Sequence, residues 1–251
     1  IVQNGRNVYY WDGDKGQIIR SAPNGQFPVS DYGMKSEFLR IKSDIDAATT
    51  SRVFSIFDDA NKEYVITFDI DGSVETWVFK EDANLWNMEL DYSESGVAAD
   101  MYGSVGTQVY SFGFGKLWRH ERTTSYNTFY GEYKPSSIKS VLSTYPTEEK
   151  CLRSIQTDSN RALSTIFTSP ITNTRTVGQK SVLYPATYRS REGSYTSSVF
   201  KNILKAGGVE DLNLLHSGTD MVGKYLEIEF TDNSSEELQL RLVGVKYSVN
   251  K

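Results

Sequence analysis

The stretch VETWVFKEDANLWNMELDY, Val74 to Tyr92, decides how the first half of this chain is read. Trp77 and Phe79 fall at alternate positions, a short polar turn follows, and Trp86 answers on the return. Alternation with period two marks a half-buried strand, and a short polar break between two such runs marks a hairpin. The same design recurs in VYYWDGDKGQIIR (8–20) and VYSFGFGKLWRHE (109–121). Each copy runs to an aromatic (Trp11, Phe79, Phe112), turns, and comes back through Ile18, Trp86 or Trp118.

Working outward, RVFSIFDD (52–59) and EYVITFDIDG (63–72) feed the middle copy. Together they predict four successive strands, 53–58, 63–70, 74–80 and 85–90, with Asp71-Gly72 as a tight turn. Four strands joined by short turns, followed by a related hairpin, is the pattern of propeller blades. Residues 1–133 are therefore expected to hold two to three blade-like units of a partial β-propeller. In such a fold bulky side chains fill the wedge between neighbouring sheets, which assigns Trp11, Trp77, Phe79, Trp86, Phe112 and Trp118 to an inter-blade core. An exposed platform on which sugars stack is the competing reading of the same aromatics. Met34, Phe38, Ile41 and Ile45 recur at helical spacing, so one short helix is expected near 32–43, capped by Ser30 or Asp31.

From about residue 134 the pattern changes to a run of longer strands, read as an antiparallel β-sandwich over 134–251. SSIKSVLSTYP (136–146) and EKCLRSIQTDS (149–159) are strands joined by a Pro-containing turn. The closing KYLEIEFTDNSSEELQLRLVGVKYSV (224–249) reads as a hairpin, with Gly244 as a bulge. Residues 195–206 fit a strand or a helix. The fold class is all-β with one short helix.

Composition narrows the chemistry. The chain has 251 residues and a formal net charge of −5, unlike a general nucleic-acid binder. One cysteine, Cys151, excludes an intrachain disulfide framework and Cys-rich zinc sites, and reads as a buried or half-buried free thiol. Two histidines, His120 and His216, cannot build a His-rich metal centre. DGDKG (12–16) and DIDG (69–72) resemble the start of calcium loops but lack the glutamate at the twelfth position, so they read as hairpin turns. SSIK (136–139) fits the Ser-x-x-Lys spacing of a Ser nucleophile, yet lies on a strand and lacks partner motifs. No catalytic residue, metal or cofactor is assigned. YRSREG (188–193) with Lys201 forms a small basic knot, read either as a solvated loop or as a subunit contact through Arg189, Arg191, Glu192 and Lys201.

Several segments carry a family resemblance: VYYWDGDKGQIIRSAPNGQFPVSDYGM (8–34), ANLWNMELDYS (83–93), GKLWRHE (115–121), SYNTFYGEYKPSSIKSVLSTYPTEEKCLRSIQTDSN (125–160) and the closing GKYLEIEFTDN…LQLRLVGVKYSV (223–249). They resemble the C-terminal part of tail nozzle or muzzle proteins of short-tailed, crAss-like phages. The resemblance implies a structural virion protein of the tail, without catalysis, in a ring around the genome-ejection channel. It implies as partners the N-terminal part of the same precursor, other copies in the ring and adjacent tail proteins. DNA would be passing cargo only, and this chain would insert into no membrane. A carbohydrate-binding or glycan-cleaving β-module is the alternative.

Overall fold

A computed structural model of the chain describes residues 1–90, 92–120, 124–170 and 177–250. Asp91 and Glu121, which belong to two of the resembling segments, lie outside the described residues. The chain divides into two compact units, Ile1–Lys134 and Pro135–Lys251. Among the described residues, no helix is long and apolar enough to cross a membrane.

The first unit is a series of antiparallel meanders. Sheet I holds β1 (Val2–Asn4), β2 (Asn7–Asp12), β3 (Gln17–Ala22) and β4 (Gly25–Pro28) in chain order. A 3-10 turn, Val29–Asp31, leads into helix α1 (Lys35–Ala47). Sheet II holds β5 (Ser51–Asp58), β6 (Glu63–Ile70), β7 (Ser73–Lys80) and β8 (Leu85–Leu90), again in chain order. After the small pair β9 (Ser93–Glu94) and β10 (Val97–Ala98) comes sheet III, built from β11 (Met101–Val105), β12 (Gln108–Gly113) and β13 (Lys116–Arg119). The pair β14 (Thr128–Phe129) and β15 (Glu132–Tyr133) closes the unit.

Sheet II is covered on both faces, and its sequence shows why. On one face Phe57, Tyr64, Ile66, Phe68 and Phe79 join Tyr9 and Ile18 of sheet I and Phe38 and Ile41 of α1 in one core. On the other face Ile56, Val65 and Val78 meet Val109 of sheet III. Odd and even residues of β6 thus serve two cores, the period-two logic of a strand buried on both sides. The turn β6–β7 is Asp71-Gly72, both with positive φ (48° and 85°), so Ile70 pairs directly with Ser73. Asp71 also accepts hydrogen bonds from the backbone N–H groups of Thr49 and Thr50 and so anchors the start of β5.

A bulge in β8 carries information that the pattern LWNMEL hides. Phe79 pairs with Trp86, but Val78 pairs with Met88, leaving Asn87 unpaired. One extra residue inverts the alternation. Trp86 therefore packs with the sheet I core, while Leu90 packs with the sheet III core.

The helix differs from the expected 32–43. Its N-cap is Met34, with no side-chain cap bond, because Val29–Asp31 is taken up by the 3-10 turn. Ser30 is fully buried instead of capping. The expected stripe holds: Phe38 and Ile41 are buried, with Met34 and Ile45 packed against the same core.

The second unit contains two facing sheets around one core. Sheet IV has the order β16 (Ser136–Leu142), β23 (Leu226–Asp232), β18 (Ser164–Ser169), β19 (Gln179–Leu183). In sheet V, β17 (Glu149–Ser159) is flanked on one side by β21 (Ser194–Ser198) and β22 (Val222–Gly223), and on the other by β24 (Leu240–Asn250); β20 (Arg189–Arg191) pairs outside β21. Phe167, Leu183, Leu226, Ile228 and Phe230 from sheet IV interlock with Leu152 and Ile155 from sheet V. The result is a β-sandwich-like, all-β unit.

The closing hairpin does not form. β23 pairs with β16 and β18, whereas β24 pairs with β17 in the opposite sheet. Both strands own an apolar face, and placing them in opposite sheets lets those faces meet across the core. The crossing segment is held from outside: Asn160 donates to the Glu237 carbonyl and accepts from the Gln239 N–H, and Arg161 pairs with the buried Asp232 at 2.6 Å. Asn233-Ser234-Ser235 therefore sits on a crossover, not at a hairpin tip. Gly244 pairs regularly with Gln156, while the register shifts fall between Leu152 and Ser154 and between Asp158 and Ser159. The ambiguous segment 195–206 continues β21 and then runs as irregular chain without a helix.

Candidate functional site

Residues that could do chemistry are mostly engaged in structure. Asp71 holds its turn, and those hydrogen bonds, first from Thr50, keep its carboxyl below the usual range. Asp69 pairs with Arg52 at 2.6 Å, and Asp12 accepts from the backbone of Lys15 within the β2–β3 turn. Ser136 and Lys139 of SSIK lie on exposed β16, where Lys139 faces Glu229. Cys151 is buried, which pushes its thiol pKa up. His216 packs edge-on against Phe200. Among the described residues, no group of three or more His, Cys, Asp or Glu is placed to hold a metal ion.

The expected aromatic set separates into two populations. Phe79 is fully buried, and Trp11, Trp77 and Trp86 pack against the core that sheets I and II share with α1. Trp11 meets Phe68 edge-on at 5.1 Å, and the Trp86 Nε1–H donates to the Val29 carbonyl at 3.0 Å. Trp118 is half-buried and meets Tyr130 at 5.6 Å. Phe112 remains 42% exposed on sheet III. The distinction was not visible in the repeat pattern, which treats the three hairpins alike.

Polar contacts lock the meanders together. The Glu81 carboxylate, in the β7–β8 turn, accepts from Asn4, Asn7 and the Tyr9 hydroxyl, with the last at 2.7 Å. Burial, reinforced by that carboxylate, raises the Tyr9 pKa. On the far side of sheet II, Thr67 shares hydrogen bonds with Thr76 (2.8 Å) and the Tyr102 hydroxyl (2.7 Å), tying sheet II to sheet III.

A small pocket lies between these two sheets. It is a cavity of about 20 Å³, room for roughly one water, lined in part by Asp58, Glu63, Tyr92, Tyr102 and His120. The His120 Nε2 stands 2.8 Å from the Ser111 Oγ, and its ring packs 4.9 Å from Tyr92. Burial pushes the His120 pKa down to about 4 against the opposing pull of Asp58. A space this small takes no organic substrate.

The basic knot resolves into a hairpin and a separate ion pair. β20 and β21 turn through Glu192-Gly193, with Arg189, Arg191 and Glu192 exposed. Lys201 hydrogen-bonds Asp220, which holds the Asp220 carboxyl below its usual range.

A deeper feature went unnoticed in the sequence. Lys150 is fully buried, and its ammonium donates to the carbonyls of Tyr145 (3.0 Å), Glu148 (3.3 Å) and Lys224. A lysine inside an alternating strand gives no sequence signal of this kind, because its acceptors are backbone carbonyls, two from the preceding turn and one, of Lys224, from a distant segment.

Among the described residues, many polar groups join strands to one another, and sheet surfaces and edges stand exposed. Residues 124–202 match the Crassvirus muzzle protein C-terminal domain. The match supports a muzzle-type protein of crAss-like phages. A search of curated proteins found no match. The muzzle-domain match begins ahead of β14 and runs through β21, so it takes in Lys150 and the Arg189–Glu192 hairpin but leaves sheets I to III outside it. The family is that of a structural phage protein, and its name implies a place in the virion tail.

Proposed function

We propose that this chain is a non-enzymatic building block of the phage tail, assembling with other copies into a nozzle-like ring around the path of genome ejection. The muzzle-domain match over residues 124–202 carries the reading. The three stacked meanders support its propeller part: each is antiparallel in chain order, and aromatic and β-branched residues fill the space between successive sheets, as propeller blades do. The exposed Arg189–Glu192 hairpin offers a charged contact to a neighbouring copy, since guanidinium forks pair well with carboxylates. Further partners are the remainder of the same precursor and adjacent tail proteins. A net charge of −5 suits a wall past which DNA slides, because like charge keeps phosphates from sticking.

Two measurements test this. Peptide mass spectrometry of purified virions is expected to find the chain in the tail, and native mass measurement of the extracted tail piece is expected to give many copies. A lone monomer that binds or cleaves a glycan would overturn the proposal.

A further inference from the structure

The hairpin of β14 and β15 has two residues in each strand, too few to stand alone. Its turn is Tyr130-Gly131, both with positive φ (51° and 82°). Glycine adopts that region freely, whereas a tyrosine is strained in it and stays only where packing holds the ring. Here packing holds it. Tyr130 is buried, and its ring meets Phe114 at 5.3 Å, Trp118 at 5.6 Å and, edge-on, His120 at 6.0 Å. Beside it, Glu132 accepts from the Ser95 N–H at 2.9 Å, and the Lys134 ammonium donates to the Ser93 carbonyl at 2.6 Å. Residues 128–134 are thus a strap laid against sheet III. They fall inside the matched 124–202, yet fold with the first unit and lead into the second at Pro135.

His120 lies where the strap, sheet III and sheet II meet. Its Nε2 bonds to the Ser111 Oγ, and its ring packs against Tyr92 and Tyr102 (6.3 Å) as well as Tyr130. Sheet II faces it across the small pocket with Asp58 and Glu63. The Asp58 carboxylate is taken up by the N–H groups of Ala60 and Asn61, and Glu63 stands 4.0 Å from Lys80, so Asp58 acts on the ring through charge alone. The setting suits a neutral imidazole: a charged ring would sit among tyrosines with a hydroxyl for its one hydrogen-bond partner. The strap is also the weakest cover. The Tyr130 hydroxyl is buried beside Ser111 and Tyr102 without completing a hydrogen bond to either, a shortfall that water relieves once the strap lifts. Sheet III, by contrast, is fixed to sheet II by Val109 packed on Ile56, Val65 and Val78 and by the bond from Tyr102 to Thr67. Local opening takes the route that breaks the fewest contacts.

We propose that residues 128–134 are an acid-responsive latch: uptake of a proton by His120 releases the Tyr130 peg from sheet III and frees the strap ahead of the second unit, while sheets I and II stay folded. The inference stands on the geometry of the strap and does not depend on the tail function.

The direction follows from linkage. With the strap closed the ring takes up its proton near pH 4; with the strap open and the ring hydrated, the ordinary value of 6.5 applies. Opening is favoured as the pH falls between these values, by about 70-fold from pH 7.5 to 4.5. Hydrogen exchange on the whole chain, corrected for intrinsic rates, reads this at the Lys134 N–H, which bonds to the Asn127 carbonyl, and at the amides of β14 and β15. Strap opening is expected to rise by about 70-fold in the native protein and by less than about twofold in His120→Asn. Amides of β6 are expected to stay at least about a hundredfold better protected than the strap at both pH values. A rise that survives in His120→Asn removes His120 as the trigger. Equal protection of strap and β6 shows global unfolding and overturns the latch. An NMR titration of the native protein needs no variant: the His120 ring protons and the Lys134 amide are expected to shift with one common midpoint between pH 4 and 6.5. Separate midpoints overturn the coupling.

Discussion

At the scale of single residues, His120 shows what burial does to an ionisable group. The folded pKa of His120, about 4, lies below the ordinary histidine value of 6.5. Its contribution to stability is therefore fully present above pH 6.5 and lost as the pH falls toward 4, because the unfolded chain takes up the proton first. The shift corresponds to at most about 3 kcal/mol. Urea melts followed by tryptophan fluorescence at pH 7.5 and 4.5 are expected to show a loss of roughly 2 kcal/mol or more that is absent in His120→Asn. Equal losses in both proteins would remove His120 as the cause. For Lys150, truncation to Met keeps the buried stem and strips three carbonyls of their donor. These carbonyls belong to exposed residues, where water can take the place of the ammonium, so Lys150→Met is expected to destabilise the second unit by only about 1 kcal/mol in chemical melts.

At the scale of elements, the turn and the bulge do the positioning. Gly72, at φ 85°, occupies a region that a Cβ disfavours by about 1 kcal/mol. Gly72→Ala is expected to cost about that much. Asp71→Ala costs the anchor on Thr49 and Thr50 yet leaves metal content unchanged by elemental analysis; calcium lost on this substitution would contradict its role as a turn residue. The bulge makes a stronger prediction. Deleting the exposed Asn87 removes the extra residue but keeps every pairing of β7 with β8, so Trp86 stays on the sheet I face and Leu90 on the sheet III face. The deletion and Asn87→Ala are therefore both expected to lower the thermal midpoint far less than Leu90→Ala, which empties a partly buried site of the sheet III core and costs about 2 kcal/mol. The hairpins around Trp11, Phe79 and Phe112 were legible from alternation because hairpin pairing is local. The bulge was not, because nothing in LWNMEL distinguishes an unpaired asparagine from a paired one.

At the scale of the whole molecule, each unit closes its own core, and all four tryptophans belong to the first. Phe167→Ala, which empties a fully buried site in the second unit, is expected to cost about 3–5 kcal/mol there. Circular dichroism should register that loss, while the fluorescence transition of the first unit stays in place. Concerted movement of both signals would show that the units unfold as one.

The order of hydrophobic and polar residues by itself determined that this protein is all-β, where the four strands of sheet II run, and that one amphipathic helix follows the first hairpins. These depend on neighbours in the chain and on two- or 3.6-residue periods. Tertiary structure alone decided that β23 and β24 face each other across a sandwich instead of pairing, that the Lys224 carbonyl comes to lie against Lys150, and that Phe112 stands in the open while its counterparts are covered. An alternating strand specifies which side chains share a face; what comes to lie against that face is set by long-range packing and by the groups, such as Asn160 and Arg161, that steer the connections.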